Sequence, residues 1–143
     1  MSSEQNRATL RRLIEEGFGK GNTAVVDELM ATNFAEHQSG IVPANAAGVK
    51  GAITSLHVAL SNLSYTVEDM MADGDKVWVR LKARGTHTGR FMGQPPTGKS
   101  VAIDVIDICR FENGKIVEHW GVPDRLGLME QLGARPRPSQ GNK

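Results

Sequence analysis

The chain has 143 residues, which fits one compact domain and leaves little room for a second. Apolar residues make up 39% and charged residues 23%, so the chain can bury a core and is not a disordered tail. Seventeen basic against sixteen acidic side chains give a net charge of +1, which argues against nucleic acid as a partner, because phosphate binding demands a basic excess.

The chain opens with an amphipathic helix, in which Leu10, Leu13, Ile14, Gly17 and Phe18 fall on one side and Arg11, Arg12, Glu15 and Glu16 point away. The glycines of GKGN at 19–22 stop it. A second short helix starts near Thr23 and buries Val25, Val26, Leu29 and Met30. The segment Asn33-Phe34-Ala35-Glu36-His37-Gln38 then leaves that helix with three polar groups beside an apolar anchor. After an irregular loop over 39–50, the spacing of Ile53, Leu56, Ala59, Leu60 and Leu63 predicts a third helix over 51–63.

From Tyr65 the period changes from helix to strand. Residues 65–70 form one strand, Asp73-Gly74-Asp75 has turn chemistry, and 76–85 alternates apolar and basic residues. Residues 86–99 carry three glycines and two prolines and form a long hairpin tip. The β-branched run VAIDVIDICRF at 101–111 returns through the turn Glu112-Asn113-Gly114-Lys115 into IVEHWGV at 116–122. A closing helix follows from Asp124, and 135–143 is expected to be a loose tail after a single domain over 1–134. Helices, then antiparallel strands, then a helix predict an α+β fold.

The single cysteine, Cys109, excludes an internal disulfide framework and a thiolate-based metal site. Histidines at 37, 57, 87 and 119 do not reproduce a metal-binding spacing, so neither metal nor cofactor is expected. No apolar run approaches the roughly 20 residues needed to cross a bilayer, and MSSEQNRATL has no hydrophobic signal segment, so a cytoplasmic location is expected.

Three groups stand out as chemistry. On the 101–111 strand, Ile103, Val105, Asp107, Cys109 and Phe111 share one face, and an acid among apolar neighbours needs a partner or a shifted pKa. His119 lies on the next strand with Val117 and Gly121, and the short turn lets it meet Asp107 across that face. Such a couple orients an imidazole for moving protons. His37 is a candidate second acid–base group or donor to a substrate carbonyl; adjacent Glu36 points elsewhere, with a weaker claim on substrate. Phe34, Val105, Phe91, Cys109 and Trp120 complete the expected substrate-binding set. His57 suits a capping role and His87 belongs to turn geometry.

Phe34-Ala35-Glu36-His37, the block GTHTGRFMGQPPTGK at 85–99, and NGKIVEHW at 113–120 followed by Pro123-Asp124 and Gln131-Leu132-Gly133 together resemble the SnoaL-like polyketide cyclases. The resemblance runs from about residue 7 to residue 133. It implies a cone-shaped α+β barrel of the nuclear-transport-factor-like superfamily, with a curved, mostly antiparallel sheet and three helices around an apolar cavity. It also implies aldol ring closure without metal or organic cofactor. In characterised cyclases of this family the position matching Gly121 is a catalytic aspartate, and the one matching Asp107 is typically histidine.

The leading expectation is therefore a cofactor-independent acid–base enzyme for a small apolar carbonyl compound, using Asp107, His119 and His37 for cyclisation, isomerisation or dehydration. The alternatives are a non-catalytic binder of an apolar ligand, favoured by Gly121, and an epoxide hydrolase, for which Asp104 faces the wrong way. Apolar Val, Ile and Trp side chains on both faces of the strands, with Trp78, Ile106, Ile108 and Trp120 near the contact, predict a homodimer.

Overall fold

A computed structural model describes residues 2–133; the expected domain limit at 134 and the tail 135–143 lie outside these. Helix α1 spans Ser3–Arg12 and starts at a reciprocal cap, with Ser2 Oγ accepting from the Gln5 N–H and Gln5 Oε1 accepting from the Ser2 N–H, both at 3.1 Å. It runs on as a π-helical segment, Leu13–Gly19, and a short α2 follows at Ala24–Leu29. Helix α3 is Ala46–Ala59, four to five residues earlier than the apolar spacing alone suggests. Asn45 sets that start, its Oδ1 accepting from the Ala47 and Gly48 N–H groups.

Five strands form one open sheet in the order β1-β5-β4-β3-β2. They are β1 Met30–Glu36, β2 Leu60–Asp73, β3 Lys76–His87, β4 Ser100–Glu112 and β5 Lys115–Pro123. All neighbours are antiparallel except the edge pair β1 and β5, which is parallel. The architecture is α+β as expected, with the sheet open rather than closed into a barrel.

Strand β1 corrects the sequence expectation at 30–36, where no strand was foreseen. Helix α4, Arg125–Leu132, is capped by Asp124 and ends at Gly133, whose φ of 72° suits a residue without a Cβ.

The inner face of the sheet carries alternate residues, so Val77, Val79, Leu81 and Ala83 of β3 and Val105, Cys109 and Phe111 of β4 meet Leu10, Ile14, Val26 and Ile53 from the helices. Leu128 and Leu132 of α4 cover a second cluster with Ala59, Leu60, Leu63 and Val101 at the other end. The β4–β5 register pairs Cys109 with His119 and Asp107 with Gly121, while β1 pairs Glu36 with His119. Three adjacent strands thus deliver their polar side chains to one spot on the inner face.

Candidate active site

At that spot His119 lies between two carboxylates. Its Nδ1 is 2.6 Å from Glu36 Oε2 and its Nε2 is 2.8 Å from Asp107 Oδ1. Asp107 and His119 are diagonal rather than directly paired, and Gly121 opposite Asp107 leaves the carboxylate room to lean across. Glu36 Oε2 also accepts from the Gln38 N–H at 2.9 Å, and Glu36 Oε1 is buried without a partner. The Glu36 side chain is 1% exposed and that of Asp107 14%, so Asp107 is the more accessible carboxylate.

The electrostatics follow from this geometry. Burial works against a charge on His119, but the hydrogen bonds and attraction of Asp107 and Glu36 outweigh it and hold the imidazolium up to about 10. A neutral imidazole has one N–H and cannot donate to two carboxylates at once; the protonated ring can. The protonated ring of His119 therefore fits its place between Glu36 and Asp107, donating one N–H to each. Burial, reinforced by Asp107, pushes the Tyr65 phenol above its usual range, and burial likewise raises the Cys109 thiol. Tyr65 is a neutral donor and Cys109 an unionised wall residue, with no thiolate for nucleophilic work.

The triad sits at the wall of a cavity of about 610 Å³. Leu13, Phe18, Leu56, Leu60 and Leu81 contribute to its mainly apolar lining. Glu36, Gln38, Tyr65, Asp107 and His119 supply polar groups, and Arg84 and Arg125 also line it. Among the described residues no group of three or more His, Cys, Asp and Glu side chains could hold a metal ion.

Of the residues singled out from the sequence, Asp107, His119, Glu36, Cys109, Val105 and Phe91 line this cavity. Three do not. His37 follows Glu36 on an extended chain and so points to the opposite face, where its Nε2 is 3.0 Å from Glu118 Oε1 and its ring stacks on Trp120 at 4.9 Å. Trp120 faces outward for the same reason, between inward His119 and Gly121. Phe34 is buried in the core beneath β1. The expected roles of Glu36 and His37 are thus exchanged: the pair does point in opposite directions, and Glu36 is the inward one.

Asp104 lies outside, 2.7 Å from Lys82, as the strand period implies. His57 binds the Phe18 carbonyl at 2.7 Å and caps. His87 is fully buried, accepts from the Thr97 N–H at 3.2 Å, and ties the hairpin tip together. The sequence reading missed Gln38 and Tyr65; a period of two carried on from Phe34 through Glu36 would have placed Gln38 inside.

The model for the SnoaL-like polyketide cyclase family matches residues 8–132. The chain is 30% identical over 131 residues to aklanonic acid methyl ester cyclase DnrD of Streptomyces peucetius, covering 87% of this chain and 88% of that protein. The solved structure of IdmH from Streptomyces antibioticus superposes with a TM-score of 0.80 at 32% identity, over 90% of this chain and 99% of that one. TsrD from Streptomyces laurentii shares the fold, with a TM-score of 0.86 at 24% identity over 94% of this chain and 99% of the other. Among the described residues no helix is long and apolar enough to cross a membrane. With its open α+β sheet, its helices at the start of the chain and these matches along nearly its whole length, the chain belongs to the SnoaL-like polyketide cyclase family.

Proposed function

We propose that this protein is a cofactor-independent acid–base enzyme that closes a ring in a small, largely apolar, polyketide-like carbonyl compound by intramolecular aldol addition. The observation that carries the proposal is the Glu36–His119–Asp107 contact at the wall of an apolar cavity. Asp107, the more accessible carboxylate, takes a proton from the carbon beside a carbonyl. The resulting enolate carbon attacks a second carbonyl of the same molecule, and the proton passes from Asp107 to the new alkoxide. No atom is gained or lost, so no co-reactant is required. His119 steadies the Asp107 charge before transfer, and Glu36 holds the imidazolium in place from its other nitrogen.

The family's acid at 121 is glycine here, and Asp107 on the paired strand takes over its task. His37 has no part in this scheme, because it lies on the other face of the sheet. The test is incubation with aklanonic acid methyl ester, the compound named for the Streptomyces peucetius relative. Aldol closure predicts a product of unchanged mass with a new retention time. Loss of water from the product would mark dehydration instead. Saturable binding with no product would contradict the proposal and favour a ligand-holding role.

A further inference from the structure

We propose that the side-chain amide of Gln38 is the hydrogen-bond donor that stabilises the enolate oxygen formed when Asp107 takes its proton. The argument begins at Gly121. A Cβ built there would come within 3.0 Å of Gln38 Oε1, Asp107 Oδ1 and His119 Cε1 alike. The space that any other residue would fill is thus where the Gln38 amide, the base and the imidazolium converge. Gln38 is anchored by its own backbone, whose N–H binds Glu36 Oε2, so its side chain starts from the triad rather than from a mobile loop. Its side-chain amide makes no hydrogen bond to any described residue, although it lines the cavity.

An amide with unused donors beside a base suits one step in particular. Proton removal places negative charge on the substrate oxygen, in a site that already holds two carboxylates around one imidazolium. Both N–H groups of that ring are spent on Glu36 and Asp107, so His119 has none left for the substrate. A neutral amide can supply the missing donor, and preorganised donors of this kind act strongly where water is excluded. A half-turn about the Cγ–Cδ bond lets Gln38 present either its NH2 group or its oxygen to the space above Gly121. Tyr65 is another neutral donor lining the cavity, as Ser55 is, and it serves as the control.

The inference rests on the proton-abstraction proposal above, and a binding experiment separates the two. Asp107→Asn imitates the protonated base, which removes the repulsion between Asp107 and an anionic ligand. In that background 4-nitrophenolate stands for the enolate and 4-nitrotoluene for a neutral compound of the same shape. Asp107→Asn is expected to bind the phenolate more tightly than the neutral probe. Adding Gln38→Leu should weaken phenolate binding by about 10–100-fold, the effect of losing a hydrogen bond to a charged group, and leave 4-nitrotoluene unchanged. Adding Gln38→Glu, which keeps the shape but has no N–H when ionised, should lose at least as much.

Equal loss for both probes, no loss for either, or a phenolate loss that appears in Tyr65→Phe instead overturns the role of Gln38. In the otherwise native enzyme Gln38→Leu should lower kcat on a turned-over ester by about 100-fold or more with little change in KM. Phenolate binding that depends on Gln38, in a protein that turns over no ketone, would overturn the proposed function and leave the donor standing. Turnover that depends on Asp107 and ignores Gln38 would do the reverse.

Discussion

His119 sits at the centre of the polar array on the inner face, and its charge has a consequence for stability. Its folded pKa is raised to about 10 from the ordinary 6.5 by Asp107 and Glu36, against the opposing effect of burial. Below about 6.5 the ring is protonated folded or unfolded, and the stabilisation is fully present. Between the two values folding takes up a proton, so stability falls as pH rises and this contribution is gone above about 10. From pH 7 to 9.5 the free energy of unfolding should therefore fall by about 1 kcal/mol per pH unit, read as a falling Tm that His119→Gln lacks. Parallel curves for the two proteins would contradict the doubly bonded imidazolium. Asp107 and His119 were legible in the sequence because a period of two and a short turn place them on one face. Glu36 was not, because nothing in Met30-Ala31-Thr32-Asn33 advertises a strand, and without the strand its direction was open.

At the scale of elements, legibility followed local chemistry. Strands β3, β4 and β5 were readable from alternation, and the Glu112–Lys115 turn from Asn113-Gly114, both at positive φ. The end of α3 was not, since Leu60 and Leu63 continue its helical spacing while the chain has already become β2. Asn62 at φ 54° and a register shift between Ser61 and Ser64 absorb the change.

The hairpin tip after β3 is held by contacts no motif reveals. The Thr88 and Gly89 N–H groups both donate to the Ala59 carbonyl at 3.0 Å, at the end of α3. A Cβ on Gly89 would strike the Val58 backbone carbonyl, which cannot swing away as a side chain could. Gly89→Ala should therefore cost about 1–3 kcal/mol, the usual effect of overpacking, read as a lowered Tm. An unchanged Tm would show that the tip moves freely from α3. Because this tip carries Phe91 and Met92 into the cavity lining, ligand affinity should fall with it.

At the scale of the molecule, the outer face of the sheet is unlike a solvated one. The register aligns Met71, Trp78, Ile108 and Trp120 across β2, β3, β4 and β5, with Ile106 and Val122 paired beside them. Met71 is 64%, Trp78 44% and Val122 71% exposed in the single chain. We propose that a second copy of this chain covers that row, because the row is flanked by both charge signs, Lys76 and Arg80 against Glu118 and Asp104, which a two-fold partner can match. Sedimentation at micromolar concentration should give twice the monomer mass, and Trp78→Lys should give the monomer. A parent protein that sediments as a monomer would contradict this.

The inner face poses the larger question, whether a carboxylate–imidazolium–carboxylate array on an apolar cavity moves protons at carbon. The most direct measurement is deuterium uptake from heavy water at the carbon beside a carbonyl of a polyketide-like test compound, followed by NMR for the parent and Asp107→Asn. Asparagine keeps the size of the side chain and an acceptor for His119 Nε2, so the fold should persist while the proton-accepting group is gone. The account predicts exchange in the parent and an exchange rate lower by about 10²–10⁴-fold in a folded Asp107→Asn. Undiminished exchange in folded Asp107→Asn would contradict it.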